Sequence, residues 1–268
     1  MLRPVADIAE VQWIVDGLGQ ALRVGGVIPA GFEHHARILH PGWRVEDGVR
    51  TPVRWADMAE RSGRPFHRLS HWSELSGMPL IDEPAIEAIV SAGGVVIDRP
   101  DEGRLPEAVA KPLREVLARH VMPSESCWFG VWTGFASPYK PEIPTTSSID
   151  AGFREWDLFK GPVDAVGFQF FQRENYAANV IWPNRRTWFV STDIDLETTY
   201  VGGSAALIGE LLEAQGLEAV EAHPDDPVAP SEPFAHNDNL IRLVRQQSRR
   251  EVGLIALWRR LLGGPRRP

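Results

Sequence analysis

Asn179-Val180-Ile181-Trp182, then Pro183-Asn184-Arg185, then Thr187-Trp188-Phe189-Val190-Ser191-Thr192-Asp193-Ile194 is the stretch that decides the fold. Two runs rich in β-branched and aromatic residues flank a proline-asparagine turn, which is the signature of an antiparallel hairpin. Working outward, Gly31–His40 alternates with period two, Phe32, His34, Ala36 and Ile38 opposing Glu33, His35, Arg37 and Leu39. Cys127–Phe135 and Phe153–Phe159 read as further strands, stopped by prolines and a glycine. Helical spacing predicts short helices over Arg54–Arg61, Pro84–Ala92, Pro106–His120 and Ser204–Ala214. A longer amphipathic helix is predicted over Asn239–Leu262. Hairpins and helices mix without strand–helix alternation. The expected class is therefore α+β, a mainly antiparallel sheet with flanking helices and a C-terminal basic amphipathic helix.

The remainder of the chain bounds its organisation. At 268 residues, with 43% hydrophobic and 24% charged residues and a mean hydropathy of -0.20, it can bury a sizeable core without staples. One cysteine, Cys127, excludes an internal disulfide and a multi-cysteine metal site. Flanked by aromatics, it reads as a small buried hydrophobe. No apolar run of about 18 residues exists, and acidic residues come too early for a secretory signal, so a cytoplasmic location is expected. Prolines 224, 227, 230 and 233 suggest an extended spacer. The expected division is one α+β domain over 1–222, a linker over 223–235 and a basic helix over 236–268.

Charge is unevenly spread. From His236 onward, eight arginines face Asp238 and Glu251, a net of +6 that leaves -14 for the rest of the chain. A body that acidic repels polyanions, so nucleic acid or an anionic membrane could be approached only through residues 236–268. The asymmetry fits a protein partner or self-association.

Candidate functional residues fall into five groups. Asp193 and Asp195, two apart at the end of a predicted strand, suit acid–base chemistry or a hard cation, against the plainer reading of an acidic strand end. Gly202-Gly203-Ser204 at a predicted helix start offers free backbone N–H groups to an anion, or simply caps the helix. His34 and His35 stand with His40 on one strand, too extended to share one ion. His67 and His71 have helical ligand spacing without the accompanying glutamate, which favours capping or packing. His35 is the candidate proton-transfer histidine, and His34, Asp193 and Asp195 are the candidate metal ligands. Among ten tryptophans, Trp182 beside Arg185 and Arg186 reads as an aromatic rim for protein contact. No cofactor motif occurs.

Val27-Ile28-Pro29-Ala30-Gly31-Phe32, Ala36 to Pro41, Arg54-Trp55-Ala56-Asp57, Cys127-Trp128-Phe129-Gly130, Ile181-Trp182-Pro183, Thr192 to Asp195 and Thr199 to Gly203 together resemble a family of cytosolic proteins from high-GC actinobacteria. The resemblance covers roughly residues 10 to 225. It implies no activity and carries no catalytic residue over. Two functions are then expected from the residues themselves. The first is a partner-binding protein of immunity, inhibitor or adaptor type. The alternative is a hydrolase or lyase with a carboxylate–histidine site, acting with or without a metal.

Overall fold

Period-two alternation, already visible around His34, becomes a two-faced antiparallel sheet. The computed structural model describes residues 1–5, 11–77, 95–134, 148–150, 154–171 and 176–228. In chain order the first strands are β1 (Arg3–Pro4), β2 (His34–Leu39), β3 (Gly42–Glu46), β4 (Val49–Val53), β5 (Val96–Asp98) and β6 (Cys127–Trp132). They are followed by β7 (Ser148–Asp150), β8 (Glu155–Gly161), β9 (Val180–Pro183), β10 (Phe189–Ser191), β11 (Thr198–Gly203) and β12 (Ala219–Ala222). Nine of these form one sheet in the order β1-β8-β6-β9-β10-β11-β2-β12, with β7 beside β8. Its pairings are antiparallel. The remaining three make a small sheet, β4-β3-β5. The α+β class read from the sequence is the class of the fold, with β9 and β10 forming the expected hairpin.

Among the described residues five α-helices flank the sheets: α1 (Gln12–Gly17), α2 (Trp55–Ser62), α3 (Trp72–Ser76), α4 (Glu107–Arg119) and α5 (Ala205–Glu213). On one face of the large sheet, Ala36, Ile38 and Val201 pack against Leu113, Val116 and Leu117 of α4 and Leu207, Ile208 and Leu211 of α5. On the other, Trp128, Trp156, Trp182, Phe189 and Tyr200 pack under Val11, Ile14, Val24 and Val228. A third cluster joins Leu39 to Trp55, Met58, Trp72 and Leu75 of α2 and α3. Each large apolar side chain so enclosed stabilises the fold by about 1.5–3 kcal/mol.

Three features depart from the sequence reading. Strand β2 begins at His34 rather than Gly31 and ends before His40. The β3–β4 hairpin is an addition to the expected elements, although Asp47-Gly48 marks it. Both residues have positive φ, 48° and 76°, as a two-residue turn of the primed type requires. The expected linker does not leave the body at residue 223. Gly25 N–H donates to the Pro224 carbonyl, Pro227 bridges Arg23, and Asp226 and Val228 are buried, so the packed body reaches at least Val228. The expected helices over Pro84–Ala92 and Asn239–Leu262 lie outside the described residues. No helix among the described residues is long and apolar enough to cross a membrane.

Candidate functional site: a histidine–arginine basin

The register of β2 against its neighbours places its polar residues. Arg37 stands opposite Tyr200 of β11 and Val220 of β12, and His35 opposite Gly202 and Ala222. Side chains directly opposed in an antiparallel pair share a face, with Cβ atoms about 4.5–5.5 Å apart. Arg37 and Tyr200 therefore rise side by side where the second and third core clusters meet. The Arg37 guanidinium sits over the Trp55 ring at 5.1 Å, and Tyr200 belongs to the cluster of Trp182 and Phe189.

The connector between α2 and α3 closes over them. Arg37 Nη1 donates to the Arg68 and Ser70 carbonyls, at 3.1 and 2.9 Å. Arg68 is ion-paired with Asp226, whose carboxylate also accepts from the His223 N–H at 2.7 Å. His223 acts on His35, and His67 and Arg37 act on His71. Four of the eight histidines (His35, His67, His71, His223) thus surround Arg37, Arg68, Asp226 and Tyr200, whereas His34, paired with Gly203, points to the opposite face of the sheet. The rim, His67 and His223, is exposed, while His35, Arg37, Tyr200 and Asp226 form a buried floor.

Burial dominates the electrostatics. It pushes the His35 imidazole below its ordinary range, helped by His223 and His34. It takes His71 down to about 4, with Arg37 and then His67 adding to the effect. Both rings are neutral near pH 7. The Tyr200 hydroxyl is raised, again mainly by burial.

The floor is under-satisfied. Arg37 Nε and the Tyr200 hydroxyl are buried without a hydrogen-bond partner. The Thr198 hydroxyl, two residues back on the same face, lies close enough to pull the Tyr200 pKa down but stays outside hydrogen-bond geometry. Among the described residues no carboxylate pairs with Arg37, whose hydrogen bonds both go to backbone carbonyls. Buried polar groups are otherwise nearly always paired, and buried charges almost without exception.

The residues singled out from sequence are distributed over three places. His35 belongs to the basin, while His34 points to the opposite face of β2, beside Gly203. Asp193 and Asp195 sit in the turn before β11 and are bound by Arg154: Nη2 donates to Asp193 at 3.0 Å and to Asp195 at 2.5 Å, and Nε to Asp193 at 3.3 Å. Burial opposes the Arg154 charge, but these bonds outweigh it and raise its pKa. The two aspartates share an arginine, which occupies the position expected for a cation or a substrate. They also stand at the opposite end of β11 from Gly202 and Gly203, about 16 Å away along the strand at ~3.3 Å per residue. His35 pairs with Gly202, so the expected aspartate–histidine–glycine corner is not assembled.

Gly202 and Gly203 are strand residues, and Ser204 caps α5 by accepting from the Leu207 N–H at 3.3 Å. With Arg186, Gly203 and Ser204 line a separate cavity of about 500 Å³ that also meets Glu33, His120 and Trp188. The expected aromatic rim at Trp182 does not exist. Trp182 is 1% exposed, stacked on Trp128 at 5.9 Å and on Phe189 at 5.8 Å, because β9 is an interior strand. Arg185 is exposed, its N–H donating to Glu125, and the Arg186 guanidinium lies over the Trp13 ring. His71 caps α3, its N–H donating to Glu74 at 3.1 Å. Cys127 is buried, its thiol pushed up to about 12 by burial and then Glu125. Among the described residues no three metal-ligating groups converge.

Sequence reasoning missed Arg37, Arg68, Tyr200 and Asp226. One signal was present: Arg37 stands mid-strand where alternation demands a buried side chain, an uncommon place for a cation. Comparison of the chain with protein families, with curated proteins and with solved structures finds no match.

Proposed function

We propose that this chain is a partner-binding protein of adaptor, inhibitor or immunity type, and that the basin above β2, β11 and β12 is its recognition site. One observation carries the reading: a buried arginine without a carboxylate partner lies beneath exposed histidines contributed by two separate stretches of chain, His67 and His223. A buried charge lacking its counter-charge is costly, and fold stability alone does not account for keeping it. The exposed rim offers polar contact, and the floor offers a single anchoring charge, the anatomy of a small binding hot spot.

A photo-crosslinking amino acid at His67 or His223 tests this in extracts of the source cells. One discrete adduct is expected from each rim position and none from exposed Val49 on the small sheet. Adducts that do not distinguish the rim from Val49, or none at all, overturn the reading.

The alternative, a hydrolase or lyase, is favoured by one feature. His35 and His71 are held neutral near Arg37 and Asp226, which suits proton acceptance from a bound anion. Turnover abolished by His35→Gln with the fold intact would establish it.

A further inference from the structure

Arg37 Nε and the Tyr200 hydroxyl, on directly opposed residues of β2 and β11, are two buried donors without a hydrogen-bond partner. Arg37 Nε carries part of a full positive charge, and Arg37 is 4% exposed. The Tyr200 hydroxyl is 1% exposed and comes from the directly opposed residue of the neighbouring strand. Backbone carbonyls of Arg68 and Ser70 hold the other side of the guanidinium, and the Trp55 ring fixes its plane. The orientation of Arg37 is therefore set by the protein rather than by an ion pair. The one acid of the floor, Asp226, is engaged by Arg68 and by the His223 N–H. Arg37 therefore keeps its charge without a paired carboxylate.

We propose that the basin floor binds a small oxyanion, a carboxylate or a phosphate group, with Arg37 Nε and the Tyr200 hydroxyl as its two donors. This rests on the reading of the basin as a recognition site and names the chemistry that the site accepts. An oxyanion satisfies both requirements at once, supplying lone pairs to two orphaned donors and a counter-charge to a buried guanidinium. A neutral carbonyl would supply only the first. Charge-assisted hydrogen bonds of this kind are about twice as strong as neutral ones, which lets two contacts hold a small group. Phenylalanine at position 200 would keep the ring packing of the second core cluster and remove one donor. That makes Tyr200→Phe the cleanest probe.

The test is a thermal-unfolding titration of the full chain at constant ionic strength, replacing chloride by acetate in one arm and by inorganic phosphate in the other. Saturable stabilisation in at least one arm is expected, because a ligand that binds only the folded state raises the midpoint as its concentration passes Kd. Acetate alone would identify a carboxylate site and phosphate alone a tetrahedral one. In Tyr200→Phe the midpoint without oxyanion should stay close to that of the parent, while the apparent Kd rises at least tenfold. Absence of saturation in both arms overturns the proposal, as does equal saturation in Tyr200→Phe. Arg37→Gln is a second variant expected to lose the effect, but Tyr200→Phe is the deciding one because that substitution leaves the packing in place. The assay uses no partner. Failed rim crosslinking with saturable oxyanion binding removes the partner reading alone, and the converse removes the oxyanion alone.

Discussion

Adjacent residues of β11 face opposite sides of the sheet and meet opposite fates. Thr199 lies on the side covered by α4 and α5, where His40 Nε2 and the Thr199 hydroxyl are 2.9 Å apart and the Thr192 hydroxyl is 2.7 Å further on. His40 Nδ1 adds a contact to the Asp101 carbonyl at 3.3 Å, and Trp55 Nε1 donates to the His40 carbonyl at 2.6 Å. His40, Thr192, Thr199 and Trp55 are all buried, and the polar groups that link them are paired. Tyr200, one residue on, is as deeply buried and its hydroxyl has no partner. One strand thus carries a satisfied polar network on one face and an unsatisfied pair of donors on the other. The first holds the sheet ends together, and the second is the kind of local deficit expected of a site that meets its partner in a ligand.

The widest separation between the two faces should come from Thr199→Val, which keeps the shape but orphans both His40 Nε2 and the Thr192 hydroxyl. Urea unfolding should show a loss of about 2–4 kcal/mol, since each orphaned buried group costs about 1–3 kcal/mol. A loss below about 1 kcal/mol would mean that these hydrogen bonds do not hold the sheet ends together.

Acid should act on the satisfied face next. Burial takes His40 down to about 4 from an ordinary 6.5, with the Asp101 carbonyl opposing and Arg37 adding to the shift. A base whose pKa is lower in the folded state contributes stability that is complete above pH 6.5 and lost as pH falls toward 4. The loss should approach about 3 kcal/mol at pH 4, at ~1.4 kcal/mol for each pH unit between the two values. His71 moves in the same direction and adds less, being half-exposed. Stability measured from pH 7 to 4 checks the sign, and a flat profile would contradict it.

Alkali should bring a smaller change of opposite sense from Glu197, in the turn before β11. Burial raises its carboxyl to about 7, Glu102 and Asp98 pushing the same way and Arg99 and Arg37 against. An acid whose pKa is raised by folding contributes stability below its ordinary 4.5 that is lost as pH rises through 7. Glu197→Gln should therefore stabilise the protein by about 1–2 kcal/mol at pH 8.5, after allowing for partial solvent screening, with little effect near pH 5.

The smallest effects should come from Tyr200→Phe and Asp195→Asn, both within about 0.5 kcal/mol of the parent. The first removes a hydroxyl with no hydrogen bond to lose. The second weakens one arm of the Arg154 bridge at a carboxylate whose side chain is 71% exposed. If Tyr200→Phe instead costs as much as Thr199→Val, the contrast between the two faces disappears.

Legibility in the sequence follows whether a feature is local. The β9–β10 hairpin, β2, α2, α4 and α5 were readable because alternation, helical spacing and flanking Pro and Gly act within a few residues. Ser204 as a cap was readable for the same reason. The site was not. His34 and His35 drew attention as a dense titratable group, and His67 and His71 by their spacing, but nothing local joins the two pairs. What joins His35 to His67 and His71 is Arg37, held by carbonyls some thirty residues further along. Asp193 and Asp195 were conspicuous as a pair, yet their partner Arg154 lies about forty residues away. Trp182 looked peripheral beside a turn, and only the strand order places it in the interior.

By itself, then, the chain dictated its periodicities, its turns and caps, its α+β class and the opposed charges of body and C-terminal segment. Each of these is settled by neighbours within about one helical turn or one hairpin. Only the tertiary structure decided which polar side chains are buried together, which charge goes uncompensated and which of two adjacent residues keeps an unpaired hydroxyl. Burial and partnership depend on strand register and on segments distant in sequence, and no local pattern encodes them.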